Sequence, residues 1–129
     1  MKKGFTLIEL IMIIVILGIL AAVAVPKYFD LQTQAKISAE KGVIGGVRAG
    51  IYTIYAYNTA NNITPKYPAL LDSVAASGAC ATATPCFANV LDQGGITADW
   101  SKGVSTVKYV GPTNTTYTYD PATGNFTTP

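Results

Sequence analysis

A single carboxylate, that of Glu9, stands in the most apolar part of the chain. From Phe5 to Val25 every other residue is apolar except Thr6 and Gly18. A carboxylate in a membrane-spanning helix costs roughly 2.5–3.5 kcal/mol near the helix centre and less near an end. Such groups usually mark function and have a partner. Glu9 is therefore the first candidate functional residue; the alternative is that it lies at the membrane interface and only complements the positive helix N-terminus.

The chain offers few other groups for catalysis or ligand binding. It has no histidine, so it can form no Ser/His/Asp or Cys/His arrangement for nucleophilic catalysis. Asp92, Asp99 and Asp120 could approach a calcium ion, but their spacing matches no compact calcium loop, and surface solvation is the favoured interpretation. The sequence therefore predicts no enzymatic activity, no metal site and no cofactor.

The two cysteines lie close together in "CATATPC", from Cys80 to Cys86. A zinc site would need further cysteines or histidines nearby, and none is present. In an exported protein such a pair forms a disulfide, whereas in a reducing compartment it would remain two free thiols. The choice between the two states depends on where the rest of the chain resides.

The charge is small and concentrated at the start of the chain. The formal net charge is +2, from nine Lys and Arg against seven Asp and Glu. Lys2 and Lys3 account for the whole excess, because without them seven basic residues face seven acidic ones. No basic patch remains that would favour nucleic acid as a partner. A nearly neutral body suits close self-association.

The apolar segment is long enough to cross a membrane. At 1.5 Å per residue, Phe5–Val25 would extend about 31 Å, the thickness of a bilayer's hydrocarbon core. This run is too long for the core of a secretory signal peptide, and "AVPKYFD" after it contains no convincing cleavage site. Lys2 and Lys3 would keep the N-terminus cytoplasmic. The remainder then lies outside the cytoplasm, which favours the disulfide.

After Pro26 the sequence predicts a helix that continues to about Asn58, with two distinct faces. One face is a large apolar stripe that would cover a sheet within the same domain. Its members are Ile37, Ile44, Val47, Ile51, Ile54 and Tyr55. Glu40 interrupts this stripe, and a pairing with Lys36 or Arg48 would be the ordinary explanation.

The opposite face is a ridge of small residues, called here the small-residue ridge. It consists of Ala35, Ala39, Gly42, Gly46, Gly50 and Thr53. Small residues let the backbone of another helix approach closely, so this ridge predicts helix packing between molecules. Each helical glycine costs about 1 kcal/mol relative to alanine, and close packing would offset that cost. Fraying or a loop around Gly45–Gly46 is the alternative.

Two residues are predicted to weaken the helix within its apolar half. Pro26 cannot donate a hydrogen bond to Ala22 and crowds its carbonyl, so it predicts a kink. Gly18, about two helical turns before Pro26, also lowers helix stability. Together Gly18 and Pro26 bracket a stretch in which the helix could break.

The C-terminal region is less clearly patterned. "YPALLDSVAA" could form a short helix, and "PCFANVLDQGGI" a short turn before a Gly-Gly break. "GVSTVKYV" alternates as a strand that includes Val104, Val107 and Tyr109. "TTYTYDPATGNFTT" is typical of a β-hairpin with Pro-Ala-Thr-Gly as its turn. Three short antiparallel strands against the large apolar stripe would form an α+β domain.

The N-terminal residues resemble those of a known protein family. "KKGFTLIEL" is similar to the processing motif of type IV prepilins and pseudopilins, in which a short basic leader ends in Gly4 and is followed by Phe5 and Glu9. "GILAAVAVP" continues the family pattern to Pro26. "VPKYFDLQTQAK" before a glycine-rich helix is similar to the mannose-sensitive haemagglutinin class of type IVa pilins. Beyond the cysteine pair, the C-terminal half departs from that class.

The resemblance implies a pilin-like α+β fold, in which a long N-terminal helix packs on a small antiparallel sheet. Residues 1–4 would be a leader peptide, and residues 5–26 the transmembrane and filament-core helix. Residues 27–58 would continue as an amphipathic helix into the globular domain. Residues 59–129 would form a globular region with the disulfide loop and the strands. In the family, residues corresponding to 18–26 are often unwound in the filament.

The resemblance also implies processing and assembly. A prepilin peptidase would cleave between Gly4 and Phe5 and methylate the new amino group of Phe5. The Glu9 carboxylate of one subunit would then face the Phe5 ammonium of a neighbour, so that two charges that are costly alone in lipid become tolerable together. The precursor would reside in the inner membrane, meet an assembly platform there, and leave as a homopolymeric extracellular filament.

The leading interpretation is therefore a major pilin of a type IV pilus that serves adhesion or motility. The alternative is a pseudopilin of a type II secretion system. In either case Glu9 favours a repeated shaft subunit, because minor tip subunits commonly lack this carboxylate. A third interpretation is a membrane-anchored binding domain that never polymerises and that retains residues 1–4.

Overall fold

The structure is a computed structural model that describes Met1 and residues 4–129. The chain forms two compact units, Met1–Ala35 and Lys36–Pro129. One helix, α1, extends over Leu7–Ala60, two residues beyond the predicted end. It ends where Asn62 adopts a left-handed conformation, with φ of 55°. Such a residue is a common helix terminator, and Ile63 N–H donates to the Asn58 carbonyl at 2.8 Å to close the last turn.

Neither residue that was expected to weaken the helix ends it. Gly18 and Pro26 both lie inside α1, and Pro26 is the proline recorded within the helix. The break predicted over residues 18–26 is therefore absent from this structure of the single chain. Unwinding of that stretch within a filament stays a prediction.

Four short strands form an antiparallel sheet in the order β1-β2-β3-β4. They are β1 (Ser101–Lys102), β2 (Lys108–Val110), β3 (Thr116–Asp120) and β4 (Asn125–Thr127). The sequence predicted three strands, and β1 is the additional one. Val104 was expected in a strand, but it lies in the connection between β1 and β2 with its side chain exposed.

The predicted hairpin is present between β3 and β4. Asp120 pairs with Asn125 at the turn, and Tyr119 pairs with Phe126 in the sheet. The Asp120 carboxylate accepts the N–H of Ala122 at 2.9 Å, and Gly124 supplies the positive φ of 72° that the turn requires. The Pro-Ala-Thr-Gly signal therefore located the turn correctly.

No helix forms between the end of α1 and the sheet within the described chain, so the short helix predicted over residues 67–76 was wrong. The reason is that Asp72 uses its carboxylate to accept the N–H of Val74 at 3.0 Å. The backbone at Leu71 in turn accepts the N–H of Asn89 at 3.0 Å. Such side-chain and loop hydrogen bonds replace those of a helix. The Gly-Gly break is present, with positive φ at Gly94 and Gly95.

The core of the second unit joins the helix to the sheet. The predicted large apolar stripe supplies its helical side: Ile44, Val47 and Ile51 are buried, and Ile54 is partly buried against the same cluster. The other side is mainly aromatic. Its fully or almost fully buried rings are those of Phe87, Trp100, Tyr109, Tyr117, Tyr119 and Phe126. The α+β, pilin-like fold predicted from the sequence is confirmed.

Glu40 has partners that the sequence did not reveal. Its carboxylate accepts the hydroxyl of Tyr117 at 2.6 Å and the N–H of Thr113 at 2.9 Å, so it bonds β3 and the loop before it rather than Lys36. Arg48, the other expected partner, instead donates two hydrogen bonds to the Phe126 carbonyl, at 2.9 and 3.0 Å. Both helical side chains therefore fasten α1 to the sheet.

Candidate functional site

The candidate site begins where α1 begins. Thr6 and Glu9 bond each other reciprocally: Thr6 N–H and its hydroxyl donate to Glu9 Oε2 at 2.8 and 2.7 Å, and Glu9 N–H donates to Thr6 Oγ1 at 3.3 Å. This pattern is a capping box, which satisfies backbone groups that the first helical turn leaves free. In the single chain Glu9 therefore complements the helix N-terminus, as the alternative interpretation expected.

Thr6 is the residue that the sequence analysis overlooked. Its signal was present, since threonine followed three residues later by glutamate before an apolar run is the signature of a capping box. Among Met1 and residues 4–129, the hydrogen bonds to the Glu9 carboxylate all go to Oε2. Cap formation and a second contact through Oε1 are therefore compatible.

The residues predicted for processing are accessible. Gly4 and Phe5 precede the helix, and the Phe5 side chain is 81% exposed. A peptidase could reach the bond between them without disturbing the helix. Lys2 and Lys3, predicted to keep the N-terminus cytoplasmic, lie outside the described residues.

The first half of α1 has the character of a membrane segment. It is long and apolar enough to cross a bilayer, and none of its most apolar stretch is buried within the protein. Large side chains such as Leu7, Ile14 and Leu20 are all more than half exposed. A soluble helix would bury such a surface, so the segment needs lipid or another apolar partner.

The small-residue ridge divides into two parts. Ala35, Ala39 and Gly42 are exposed, and a Cβ added at Gly42 would meet no atom within 4 Å. A Cβ at Gly46 would lie 3.4 Å from Leu91 Cδ2, and one at Gly50 would lie 1.9 Å from the Val90 carbonyl oxygen. Gly50 thus packs within its own domain, which the sequence did not indicate. Contacts between subunits stay a prediction for the ridge.

The two cysteines are joined. Cys80 and Cys86 form a disulfide with a Cα–Cα distance of 5.3 Å, and both are buried. The disulfide agrees with the exported state predicted for this part of the chain. It closes a short loop directly before Phe87, which is one of the central core rings.

A buried ion pair lies next to this loop, and no sequence pattern pointed to it. Lys102 Nζ lies 2.9 Å from Asp72 Oδ1, and both side chains are completely buried. Asp72 also accepts the N–H of Phe87 at 2.9 Å. Burial lowers the pKa of the Lys102 ammonium, while the negative charge of Asp72 acts in the opposite direction.

The aspartates considered for calcium do not form a site. Within Met1 and residues 4–129, no three His, Cys, Asp or Glu side chains are grouped so that they could hold a metal ion. Asp120 bonds the Thr123 hydroxyl at 2.7 Å in the hairpin turn. These bonds lower the pKa of the Asp120 carboxyl, the Thr123 hydroxyl being the main cause.

The N-terminus matches a described sequence family. Residues 1–25 match the prokaryotic N-terminal methylation motif. This range includes Gly4, Phe5, Thr6 and Glu9, which are the residues from which the site is built. No solved structure matches the chain.

Several curated proteins are similar to part of the chain. Fimbrial protein EcpB of Eikenella corrodens is 38% identical over 65 residues, which cover 50% of this chain and 41% of the relative. Type II secretion system core protein G of Pseudomonas aeruginosa is 46% identical over 50 residues, or 39% of this chain and 35% of the relative. Type IV major pilin protein PilE1 of Neisseria gonorrhoeae is 44% identical over 55 residues, or 43% and 33%.

The chain therefore spans about two-fifths or less of the length of the curated relatives that it matches. The relatives comprise fimbrial subunits and a secretion-system protein. Together with the methylation motif and the long helix on a small antiparallel sheet, these similarities support a type IV pilin-family protein.

Proposed function

We propose that this chain is the major subunit of a type IV pilus, processed between Gly4 and Phe5 and polymerised through its N-terminal helix. The observation that carries the proposal is the position of Glu9. It places a carboxylate in the first turn of an exposed, membrane-length helix, four residues after the processing motif's Phe5. In a subunit that stayed alone in lipid, this carboxylate would be energetically unfavourable and would have no counter-charge.

The capping geometry supports assembly through a charge pair. Thr6 donates both of its hydrogen bonds to Oε2 of Glu9, so neither of them uses Oε1. After cleavage, Phe5 would carry a methylated ammonium group. In the filament that group would come from a neighbouring subunit, and the attraction between the two charges in a dry helix bundle would fix the register of the subunits. A purely apolar bundle would lack such a register signal.

The exposed part of the small-residue ridge supports the same proposal. Ala35, Ala39 and Gly42 have no side chain large enough to keep a neighbouring helix away, and their surface is unoccupied in the single chain. Close contact with a helix of another subunit would offset the loss of helix stability that glycine causes.

The partners and locations follow from this role. The precursor would span the inner membrane, where prepilin peptidase and the assembly platform act on it. The finished filament would stand on the cell surface, and the disulfide-closed domain would form its outer layer. Under the same proposal the chain is a pilin of the mannose-sensitive haemagglutinin class, and its filament serves adhesion or motility.

Electron microscopy of sheared surface filaments, combined with mass spectrometry of their subunit, tests the proposal. A subunit that begins at methylated Phe5, recovered from long extracellular fibres, is the expected result. A chain that keeps residues 1–4 and is recovered only as single membrane-bound molecules would refute it in favour of a non-polymerising binding domain.

A second candidate function is that of a pseudopilin in a type II secretion system. The observation that favours it is the 46% identity with a type II secretion core protein over 50 residues. Processing and polymerisation would be the same, but the fibre would be short and periplasmic. The same experiment separates the two functions by the length and location of the fibres.

A further inference from the structure

The pair formed by Asp72 and Lys102 lies in surroundings that suit a chemical reaction. Both side chains are fully buried, with 2.9 Å between Lys102 Nζ and Asp72 Oδ1. The Tyr109 ring closes one side, since its centroid is 3.8 Å from Nζ. Nζ also donates a short hydrogen bond to the Thr106 carbonyl. An amine and a carboxyl group are thus held against each other away from water.

Burial of the two charged groups is energetically unfavourable. Removing two ions from water costs more than their mutual attraction returns unless further hydrogen bonds are good. The same burial lowers the pKa of the Lys102 ammonium and so favours its neutral amine form, which is the nucleophile. A neutral group in the same volume would avoid the cost. Condensation of the two side chains would create such a group.

The carboxyl group is held as an acyl-transfer reaction requires. Phe87 N–H donates to Asp72 Oδ2 at 2.9 Å, on the oxygen that does not contact the amine. There it can stabilise the negative charge of a tetrahedral intermediate, as donors of an oxyanion hole do. Phe87 is held for this contact in a left-handed conformation, with φ of 61°, which a phenylalanine rarely adopts. Fixed reactants of this kind reach effective molarities of roughly 10⁵–10⁸ M.

We propose that Lys102 and Asp72 condense spontaneously to an intramolecular amide bond. The ammonium first gives one proton to Asp72 Oδ1, which leaves a neutral amine beside a carboxylic acid. The Nζ lone pair then attacks Cγ and forms the N–C bond, while the carbonyl electron pair moves to Oδ2. A second proton passes from Nζ to Oδ1, the Cγ–Oδ1 bond breaks, and one water leaves. No oxidant or other reactant is needed.

Two of the present hydrogen bonds would persist in the product, while Val74 N–H would lose its acceptor when Oδ1 leaves. Oδ2 would become the amide oxygen and keep its bond from Phe87 N–H, and the one remaining hydrogen on Nζ would keep its bond to the Thr106 carbonyl. The amide would also tie the irregular segment 61–100 to β1, whereas the Cys80–Cys86 disulfide joins two residues within that segment. This inference stands apart from the proposed function and does not depend on polymerisation.

Mass spectrometry of the full-length chain, purified from membranes in detergent, tests the bond directly. The expected intact mass is lower by one water than that of the processed, disulfide-bonded chain. Trypsin does not cut after an acylated lysine, so the digest should contain one peptide, residues 67–108, that is one water lighter than its sequence. Fragmentation should place the link between Asp72 and Lys102.

The matched control is Lys102→Arg, which keeps the positive charge but cannot form this amide. This variant should have its full mass and be cut after position 102. If the wild-type chain has its full mass and yields residues 67–102 and 103–108 as separate peptides, the proposal is wrong. A water loss that fragmentation places at any other residue overturns it equally. The wild-type result decides the matter even if the variant fails to fold.

Discussion

The hydroxyl of Tyr117 donates a hydrogen bond of 2.6 Å to the buried carboxylate of Glu40, joining α1 to β3 across the domain core. Thr113 N–H donates to the other carboxylate oxygen at 2.9 Å. The loop can approach this closely because Gly111 has no side chain: a Cβ there would lie 2.7 Å from the Glu40 carboxyl carbon. One helical carboxylate therefore positions both a strand and the loop that leads into it.

Replacing Tyr117 with phenylalanine should destabilise this domain. The change removes one donor and leaves a buried carboxylate with fewer partners, and a hydrogen bond to a charged group contributes about 1.5–3 kcal/mol. Denaturant unfolding of the full-length chain in detergent, followed by the fluorescence of the buried Trp100, measures the loss. Tyr52→Phe is the matched control, because Tyr52 is exposed and its unfolding midpoint should not move. Equal midpoints for the two variants would contradict the role of Glu40.

The same carboxylate predicts how stability depends on pH. Burial by itself would raise the pKa of Glu40, but the hydrogen bonds from Tyr117 and Thr113 outweigh it and hold the pKa below its ordinary value. The folded state then binds the proton less tightly than the unfolded state, so Glu40 stabilises the fold above the ordinary carboxyl pKa. This contribution is lost as the pH falls through the lowered value.

We therefore expect the wild-type free energy of unfolding to fall more steeply than that of Glu40→Gln below about pH 4. The difference between the wild-type and Glu40→Gln stability curves gives the contribution of Glu40 alone. Other carboxyls, including Asp120, whose pKa is also lowered, contribute equally to both curves. Unfolding titrations at a series of acidic pH values provide the measurement. Parallel curves would show that the carboxylate is not preferentially stabilised in the folded state.

At alkaline pH the phenol of Tyr117 should titrate late. Burial, and then the hydrogen bond and negative charge of Glu40, raise its pKa to about 12. The neutral phenol therefore stabilises the fold below the ordinary tyrosine pKa, and this stabilisation is lost as the pH rises through the raised value. A titration of phenolate absorbance should show one fewer late-titrating group in Tyr117→Phe than in Tyr52→Phe. An identical late phase in both variants would exclude this assignment.

The sequence was most informative where periodic burial decides the structure. Ile44, Val47 and Ile51 recur at helical spacing, and the Asp120–Gly124 turn has residues that few other conformations favour. Both features are local, so residue order alone reveals them.

Long-range polar contacts could not be predicted in the same way. Glu40 bonds residues more than seventy positions away, and Asp72 bonds Lys102 across the disulfide loop. Nothing in the residues next to either carboxylate indicates which distant segment will approach it. The cap formed by Thr6 is different, since its spacing to Glu9 was visible and its signature could have been used.

Two glycines of the small-residue ridge should respond in opposite ways to alanine. At Gly50 the added Cβ would lie 1.9 Å from the Val90 carbonyl oxygen, so the backbone would have to shift, and overpacking costs about 1–3 kcal/mol. At Gly42 the Cβ would meet no atom, and the helix would gain about 0.8–1 kcal/mol. Unfolding midpoints of the two variants give the measurement. A stabilised Gly50→Ala would contradict the contact with Val90.

Gly42 also distinguishes folding from assembly. Because its surface is open in the single chain, Gly42→Leu should raise the unfolding midpoint, as Gly42→Ala does, while it lowers the yield of surface filaments. Sheared filaments quantified against total subunit measure that yield. The exposed Tyr52→Phe serves again as the control. Normal filament yield from Gly42→Leu would show that the ridge does not pack against another helix.

The charge of Glu9 can be separated from its role as a helix cap. Glutamine also completes a capping box, so Glu9→Gln should preserve the start of α1 while it removes the negative charge. We expect normal membrane insertion of this variant and little or no filament, because the Phe5 ammonium would lose its counter-charge.

Thr6→Ala is the matched control for Glu9, since it removes the cap and keeps the carboxylate. Loss of an N-cap costs about 1 kcal/mol, so the first turn of this variant should fray but its filaments should still form. Membrane fractionation and filament yield, measured for both variants, provide the comparison. If Thr6→Ala abolished filaments and Glu9→Gln did not, the carboxylate would act through the helix cap, and the charge pair between subunits would have to be abandoned.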